Sequence, residues 1–229
     1  MIRPALAVAL AVFCCVGAAQ AETEPFLLAQ GWRELTFDGR RPNRFSAGPD
    51  GGITVTSEVG DSMLYRSIAT DLGKTPCLSW RWKVDQAPPP TDLTRKGGDD
   101  RAISLWIGFR FDNANASIGD RIKHEAQQIA LGGAVPGQSL IYNWGGAERT
   151  AGFQTNPVVG ERGKFRILHA ATEPTGVWQS EQVNLVEEYR RAFGLPPTDM
   201  VQLAISGDAD ATGTRSIAHI AGINFTECR

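Results

Sequence analysis

The chain has 229 residues with 23 Lys and Arg against 25 Asp and Glu, a formal net charge of −2. A near-neutral chain with a sequence pI near 5.9 gives no electrostatic footprint for nucleic acid, so a nucleic-acid partner is not expected. Its 42% hydrophobic residues suffice for one sizeable core, and no stretch is long and apolar enough to be a transmembrane helix.

The first residues read as a targeting segment. Arg3 opens it, 5–16 is an apolar run, and Ala19-Gln20-Ala21 fits a small-residue cleavage site. The expectation is a signal peptide over 1–21, a single domain over 22–229, and a periplasmic or secreted location. Cleavage leaves two cysteines, Cys77 and Cys228. In an oxidising compartment this pair predicts a disulfide, the alternative being two unpaired thiols.

In chain order, a short strand is predicted near 32–37, followed by a polar, Arg-rich loop with Gly39, Pro42 and Gly48. Ile53 and Val55 alternate with Thr54 and Thr56, and 63–71 is a further strand. The strongest signal spans 77–111. There Leu78, Trp80, Trp82 and Val84 oppose Ser79, Arg81, Lys83 and Asp85. Ile103, Leu105, Ile107 and Phe109 likewise oppose Ser104, Trp106, Gly108 and Arg110. Period 2 over such lengths means strands with one face in a core. A Pro-rich and then Gly-Asp loop joins the two.

Ile122, Ala126 and Ile129 change the period and predict one amphipathic helix over 120–131, stopped by Gly132-Gly133. Strands are expected at 140–144, 164–170 and 178–185, and a short helix at 186–193 closed by Gly194. The last two strands fall at 200–206 and 217–225. About ten short strands and two modest helices predict a mainly β fold, a β-sandwich of jelly-roll type, with a closed barrel as the alternative.

Trp80-Arg81-Trp82, then Gly98-Asp99-Asp100, then the helix and Tyr142-Asn143-Trp144, resemble the bacterial domain of unknown function 3047 family. So do Gly176-Val177-Trp178, the run from Tyr189 to Gly194, and the turn from Asp208 to Thr212. The order and rough spacing match over 32–225. The resemblance implies an exported single-domain β-sandwich and brings no established activity, hence no catalytic roles. The chain departs from the family pattern at Ala211, where members carry an amide, and at Ala221-Gly222, where they tend to carry acidic residues.

Asp99 and Asp100 follow two glycines at a loop–strand junction. Adjacent carboxylates there can bind a cation or sugar hydroxyls, or instead cap a turn and pair with Arg101 or Arg81. Asp208 and Asp210, with Thr212, echo the first half of a calcium loop. His219 stands where the bidentate Glu should be, so calcium competes with an Asx-stabilised turn. His124-Glu125 opens like a zinc-protease motif, but Gln128 replaces the second histidine.

Among the aromatics, Trp80 and Trp82 share the apolar face and are expected in the core. Trp106 lies on the polar face with Arg110, and Trp144 precedes two glycines. Flat indoles beside Asn, Asp and Arg are a means of holding a sugar ring. The competing reading covers this face with a helix or loop, the 120–131 helix being a ready candidate, and makes Trp106 a second, smaller core. The expected ligand-binding set is therefore Trp106, Arg110, Asp99, Asp100, Tyr142 and Trp144. Three functions stand open: an exported non-catalytic sandwich binding a glycan or another cell-envelope component, a polysaccharide lyase or hydrolase built from Asp99, Asp100, Tyr142 and Arg110, or a structural envelope protein without a small ligand.

Overall fold

The computed structural model describes residues 22–114, 116–130 and 135–228. The expected signal segment and the Gly132-Gly133 stop lie outside the described residues. No helix among those described is long and apolar enough to cross a membrane.

Among the described residues the chain forms thirteen strands and three α-helices. The strands are β1 (Glu22–Thr23), β2 (Arg33–Thr36), β3 (Arg44–Ala47), β4 (Ile53–Glu58), β5 (Asp61–Thr70) and β6 (Cys77–Gln86). They continue with β7 (Arg101–Phe109), β8 (Gln138–Gly145), β9 (Gln154–Asn156), β10 (Gly160–His169), β11 (Gln179–Asn184), β12 (Met200–Asp208) and β13 (Arg215–Thr226). The helices are α1 (Pro25–Ala29), α2 (Ile118–Ala130) and α3 (Leu185–Phe193). The strands form two sheets, ordered β1-β3-β4-β13-β6-β11 and β2-β5-β12-β7-β8-β10-β9. The fold is the mainly β, jelly-roll-type sandwich that the alternation predicts.

The core lies between the sheets. β6 sends Leu78, Trp80, Trp82 and Val84 inward, and β7 sends Ile103, Leu105, Ile107 and Phe109, all at most 2% exposed. Trp80 meets Tyr142 of the opposite sheet at 5.2 Å between ring centroids, and Trp82 meets Trp144 at 5.8 Å. Each large aromatic removes about 150–250 Å² from water, so this group carries much of the hydrophobic stabilisation. Cys77 and Cys228 are disulfide-bonded, with their Cα atoms 5.2 Å apart. The bridge ties the end of β13 to the start of its neighbour β6, where Thr226 faces Cys77.

Three short elements depart from the sequence expectation. The Arg-rich segment after β2 contains β3, whose Phe45 is fully buried, and β1 and β9 are edge pieces of two and three residues. The predicted helices form. Asn184 caps α3 by accepting from the backbone N–H groups of Val186 and Glu187, and Gly194 closes it in the left-handed region at φ 74°. The apolar stripe of α2 is not its packed face: Ile118 and Ile122 are 76% and 61% exposed. Instead His124 is buried and stacks on Phe111 at 4.1 Å.

Candidate functional site

The outer face of the seven-stranded sheet is built in rows of cross-strand neighbours. One row runs Tyr65, Ala204, Trp106, Ile141 and Phe165. On one side of it lies the row Gln202, Gly108 and Ser139. On the other lies Leu35, Met63, Ser206, Ser104 and Asn143. Beyond that, at the strand ends, Asp61 faces Asp208 and Asp208 faces Arg101.

These rows make a cup because their residues differ in size. Gly108, beside the Trp106 row, leaves room for Pro136 and Gln202. A Cβ on Gly108 would come within 2.8 Å of Pro136, so glycine is required where 135–137 passes over the sheet. The resulting cavity of about 250 Å³ has Trp106 in its floor, Leu35, Met63 and Tyr65 along one wall, and Pro136, Val158 and Val159 along the other. Asp61, Asp99, Arg101 and Asp208 close one end, while Arg162 stands at the cavity lining from β10.

Trp106 is therefore neither fully open nor fully covered. Toward β8 it packs against a small second core of Ile141, Phe165 and Ile167, capped by Leu93 from the loop between β6 and β7. Toward β5 and β12 it lines the cavity. Of the helix or loop considered as cover, the loop supplies it through Leu93, and α2 lines the cup with none of its described residues.

The charged end is a hydrogen-bonded network. Arg101, nearly buried, donates from Nη1 to Asp208 Oδ2 (3.1 Å) and to the Asp99 carbonyl (2.6 Å), from Nε to Ser104 Oγ (2.6 Å) and from Nη2 to Ser206 Oγ (3.2 Å). Ser206 Oγ also accepts from Trp106 Nε1 at 3.0 Å, which fixes the indole in the floor. Ser104 in turn donates to Asn143 Oδ1 at 2.6 Å. Burial pushes the Asp208 carboxyl up to about 8; Arg101 pulls it down, while Asp61, Asp99 and Asp100 add to the rise. Burial likewise raises Asp61, against the pull of Arg101 and Arg40. Burial disfavours the charged form of both facing carboxyls, so protons are held here at pH values where an exposed Asp has lost its own.

The residues expected from sequence divide three ways. Trp106 and Asp99 line the cup. Asp100 does not: it is fully buried, and its carboxylate accepts from the backbone N–H groups of Ala211 and Thr212 and from Thr212 Oγ1. Tyr142 and Trp144 are corrections, since both point between the sheets at 0% and 1% exposure, on the opposite face of β8 from the cup. Arg110 is another. β7 ends at Phe109, and Arg110 turns outward to pair with Asp199 at 3.1 Å, away from the cavity lining. The hydrolase set of Asp99, Asp100, Tyr142 and Arg110 is thus not brought together.

Asp208 and Asp210 lie where the calcium echo put them, and with Asp100 they present oxygens within 4.8 Å of one another. Each already has a partner: Arg101 on Asp208, Arg40 on Asp210 and the turn on Asp100. Sequence reasoning missed Asp61, Met63, Tyr65, Arg101 and Gln202 as cup residues. The alternation of Asp61, Met63 and Tyr65 along β5 is the signal that puts those three on one face.

A family model described as protein of unknown function (DUF3047) matches residues 30–224. No curated protein matches the chain. Among solved structures the chain is similar to a family 11 carbohydrate-binding module from Clostridium thermocellum in complex with a beta-1,3-1,4-mixed-linked tetrasaccharide. That likeness has 11% identity, 86% of this chain, 89% of that chain and a TM-score of 0.45. It is also similar to the xyloglucanase domain of NopAA, a type three effector from Sinorhizobium fredii, in complex with cellobiose (10% identity, 85% and 92% coverage, TM-score 0.44). A third is endoglucanase cel12A from Rhodothermus marinus (12% identity, 86% and 92% coverage, TM-score 0.43).

Proposed function

The chain belongs to the DUF3047 family of proteins of unknown function, and from its own geometry we propose that it is an exported, non-catalytic β-sandwich that binds carbohydrate in the Trp106 cup. The observation that carries this reading is the placement of Trp106: an indole anchored through Nε1 to Ser206, forming the floor of a cavity with polar groups at its rim and end. A flat apolar surface with directional acceptors beside it matches a sugar ring, which has an apolar C–H face and hydroxyls around its edge. At about 250 Å³ the cup falls below the roughly 300–1,000 Å³ of drug-sized sites, so it suits a single ring at the end of a glycan.

Export is supported by the apolar 5–16 run and the Ala19-Gln20-Ala21 site. The non-catalytic reading is supported by the separation of the nominated carboxylates and Tyr142 onto different faces.

The test is a glycan array or polysaccharide pull-down with wild type and Trp106→Ala, with thermal melting and a reducing-end assay on every glycan that binds. Loss of about 1–3 kcal/mol of binding on losing the indole contact is expected, with a retained fold. Equal binding by both proteins would place the site elsewhere. Release of reducing ends would move the chain to the hydrolases. No binding across a broad panel would favour a structural envelope role.

A further inference from the structure

The charged end of the cup has more acceptors facing the cavity than donors, and this asymmetry bears on which sugar the cup takes. Four elements bring charge there: Asp61 from β5, Asp208 from β12, Arg101 from β7 and Asp99 from the loop before it. Behind them lie Arg40, Asp100 and Asp210. The Arg101 guanidinium is already committed to Asp208, the Asp99 carbonyl, Ser104 and Ser206, so it has little left to offer an incoming anion. Arg40 makes its close ion pair with Asp210 and stands 3.8 Å from Asp61. Asp61 has Arg40 at 3.8 Å and Asp99 Oδ1 accepts from the Gly97 N–H at 3.0 Å, with Arg101 acting on both, so the carboxylates of Asp61, Asp99, Asp100, Asp208 and Asp210 outnumber the guanidinium groups of Arg40 and Arg101 at this end. Arg162, the other lining cation, gives Nη1 to Gln127 at 2.6 Å.

We infer that the cup takes a sugar bearing a free amino group, with its ammonium seated against Asp61 and Asp99 and its ring on Trp106. This inference rests on the carbohydrate reading above and names the ligand class of that same cavity. An ammonium supplies the positive charge that the end of the cup lacks. It also offsets the cost of keeping Asp61 charged beside its cross-strand neighbour Asp208, two carboxyls that burial raises. The apolar walls of Leu35, Met63 and Val159 line the same cavity, and a charge-assisted hydrogen bond strengthens as the local dielectric falls. A neutral hydroxyl in the same place gains a hydrogen bond and leaves the charge imbalance as it was. A uronate would bring its carboxylate against Asp61 and Asp99.

The experiment is calorimetric titration of the folded protein with three probes of equal length: a glucosamine oligomer, its fully N-acetylated counterpart and a uronate oligomer. It is run at about pH 6, where amines of this type are protonated. The expected result is binding of the free amine at least about tenfold tighter than the N-acetyl form, with the ratio collapsing in Asp61→Asn. Should Asp61→Asn fail to fold, the matched probes on wild type decide the matter by themselves. Equal binding of the amine and the N-acetyl form, or a preference for the uronate, overturns the inference and leaves the carbohydrate reading standing. Failure of all three probes, together with failure of the broad panel, overturns both.

Discussion

Asp100 and Thr212 join two loops that lie far apart in the sequence: one Asp100 oxygen accepts from both Thr212 N (2.8 Å) and Thr212 Oγ1 (2.5 Å). The Gly-Asp junction before β7 and the Asp-rich turn after β12 are therefore a single structure at the closed end of the cup. Its other contact, from Ala211 N at 3.2 Å, completes the set.

Replacing Asp100 by Ala leaves these donors without their acceptor. The half-buried donors of this turn lose a charge-accepting partner, and such a loss costs about 1–3 kcal/mol. Asp100→Ala is expected to unfold at lower denaturant than wild type with an unchanged slope. A melting curve superimposable on wild type would show that the turn holds without Asp100.

Calcium is expected to leave stability unchanged. An ion among Asp100, Asp208 and Asp210 must displace Arg101 and Arg40 from their carboxylates. A site filled at a hundred times its dissociation constant would add about 2.7 kcal/mol, a shift of several degrees. Such a rise, abolished in Asp208→Ala, is the outcome that refutes this expectation.

The Cys77–Cys228 bridge closes a separation of 151 residues. In the chain-entropy model a loop of that length contributes about 5 kcal/mol, an upper figure because a reduced unfolded chain retains structure of its own. Natively folded protein alkylated without reductant should show no labelled thiol at either position, and Cys77→Ser should melt several degrees lower. Two labelled thiols would contradict the bridge.

His169 predicts a pH dependence. Its Nδ1 lies 2.8 Å from Glu173 and its Nε2 2.7 Å from Glu181, with Arg149 also at Nδ1 (3.1 Å) and the ring stacked on Trp144. Burial lowers its pKa, but the hydrogen bonds it donates to the two carboxylates outweigh it, and the net shift is upward from 6.5. A raised folded pKa gives stability that is full below the unfolded value and is lost as pH rises through the folded one. Stability should thus decline from about pH 6.5 upward, and His169→Gln should flatten that decline. Glu173 works in the opposite range: its hydrogen bond from Arg149 holds it down to about 2, so its contribution declines as pH falls below 4.5 and is gone once pH has fallen through the folded value. An NMR titration giving His169 a pKa below 6.5 would overturn the upward direction.

The legible and illegible parts of this chain follow from the range over which each signal acts. Period 2 in β6 and β7 is a local property, and it placed Trp80, Trp82 and the Ile103-to-Phe109 face correctly in the core. The same parity misplaced Arg110, because parity holds only while the strand lasts and β7 stops one residue earlier. In β8 both faces are covered, one by the opposite sheet and one by Leu93 with the residues beneath it. Alternation between Tyr142 or Trp144 and Ile141 therefore carries little contrast, and the burial of Trp144 could not be read from its neighbours. β3 was hidden because four residues rich in polar side chains give no window for a period. The partnership of Asp61 with Asp208 depends on the register between β5 and β12, a long-range choice that no local pattern encodes.

The order of strands has a consequence for synthesis. β12 stands between β5 and β7, and β13 between β4 and β6, so the strand that joins the two parts of each sheet is made after everything it joins. A nascent chain still short of β12 carries β4, β5, β6 and β7 each with an open edge, the arrangement that invites pairing with another molecule. Early local contacts cannot close either sheet, and folding waits on contacts of long sequence separation, the slow class. Ribosome-bound chains released before residue 200 should therefore be aggregation-prone and protease-sensitive, whereas the full chain gains both sheets nearly at once.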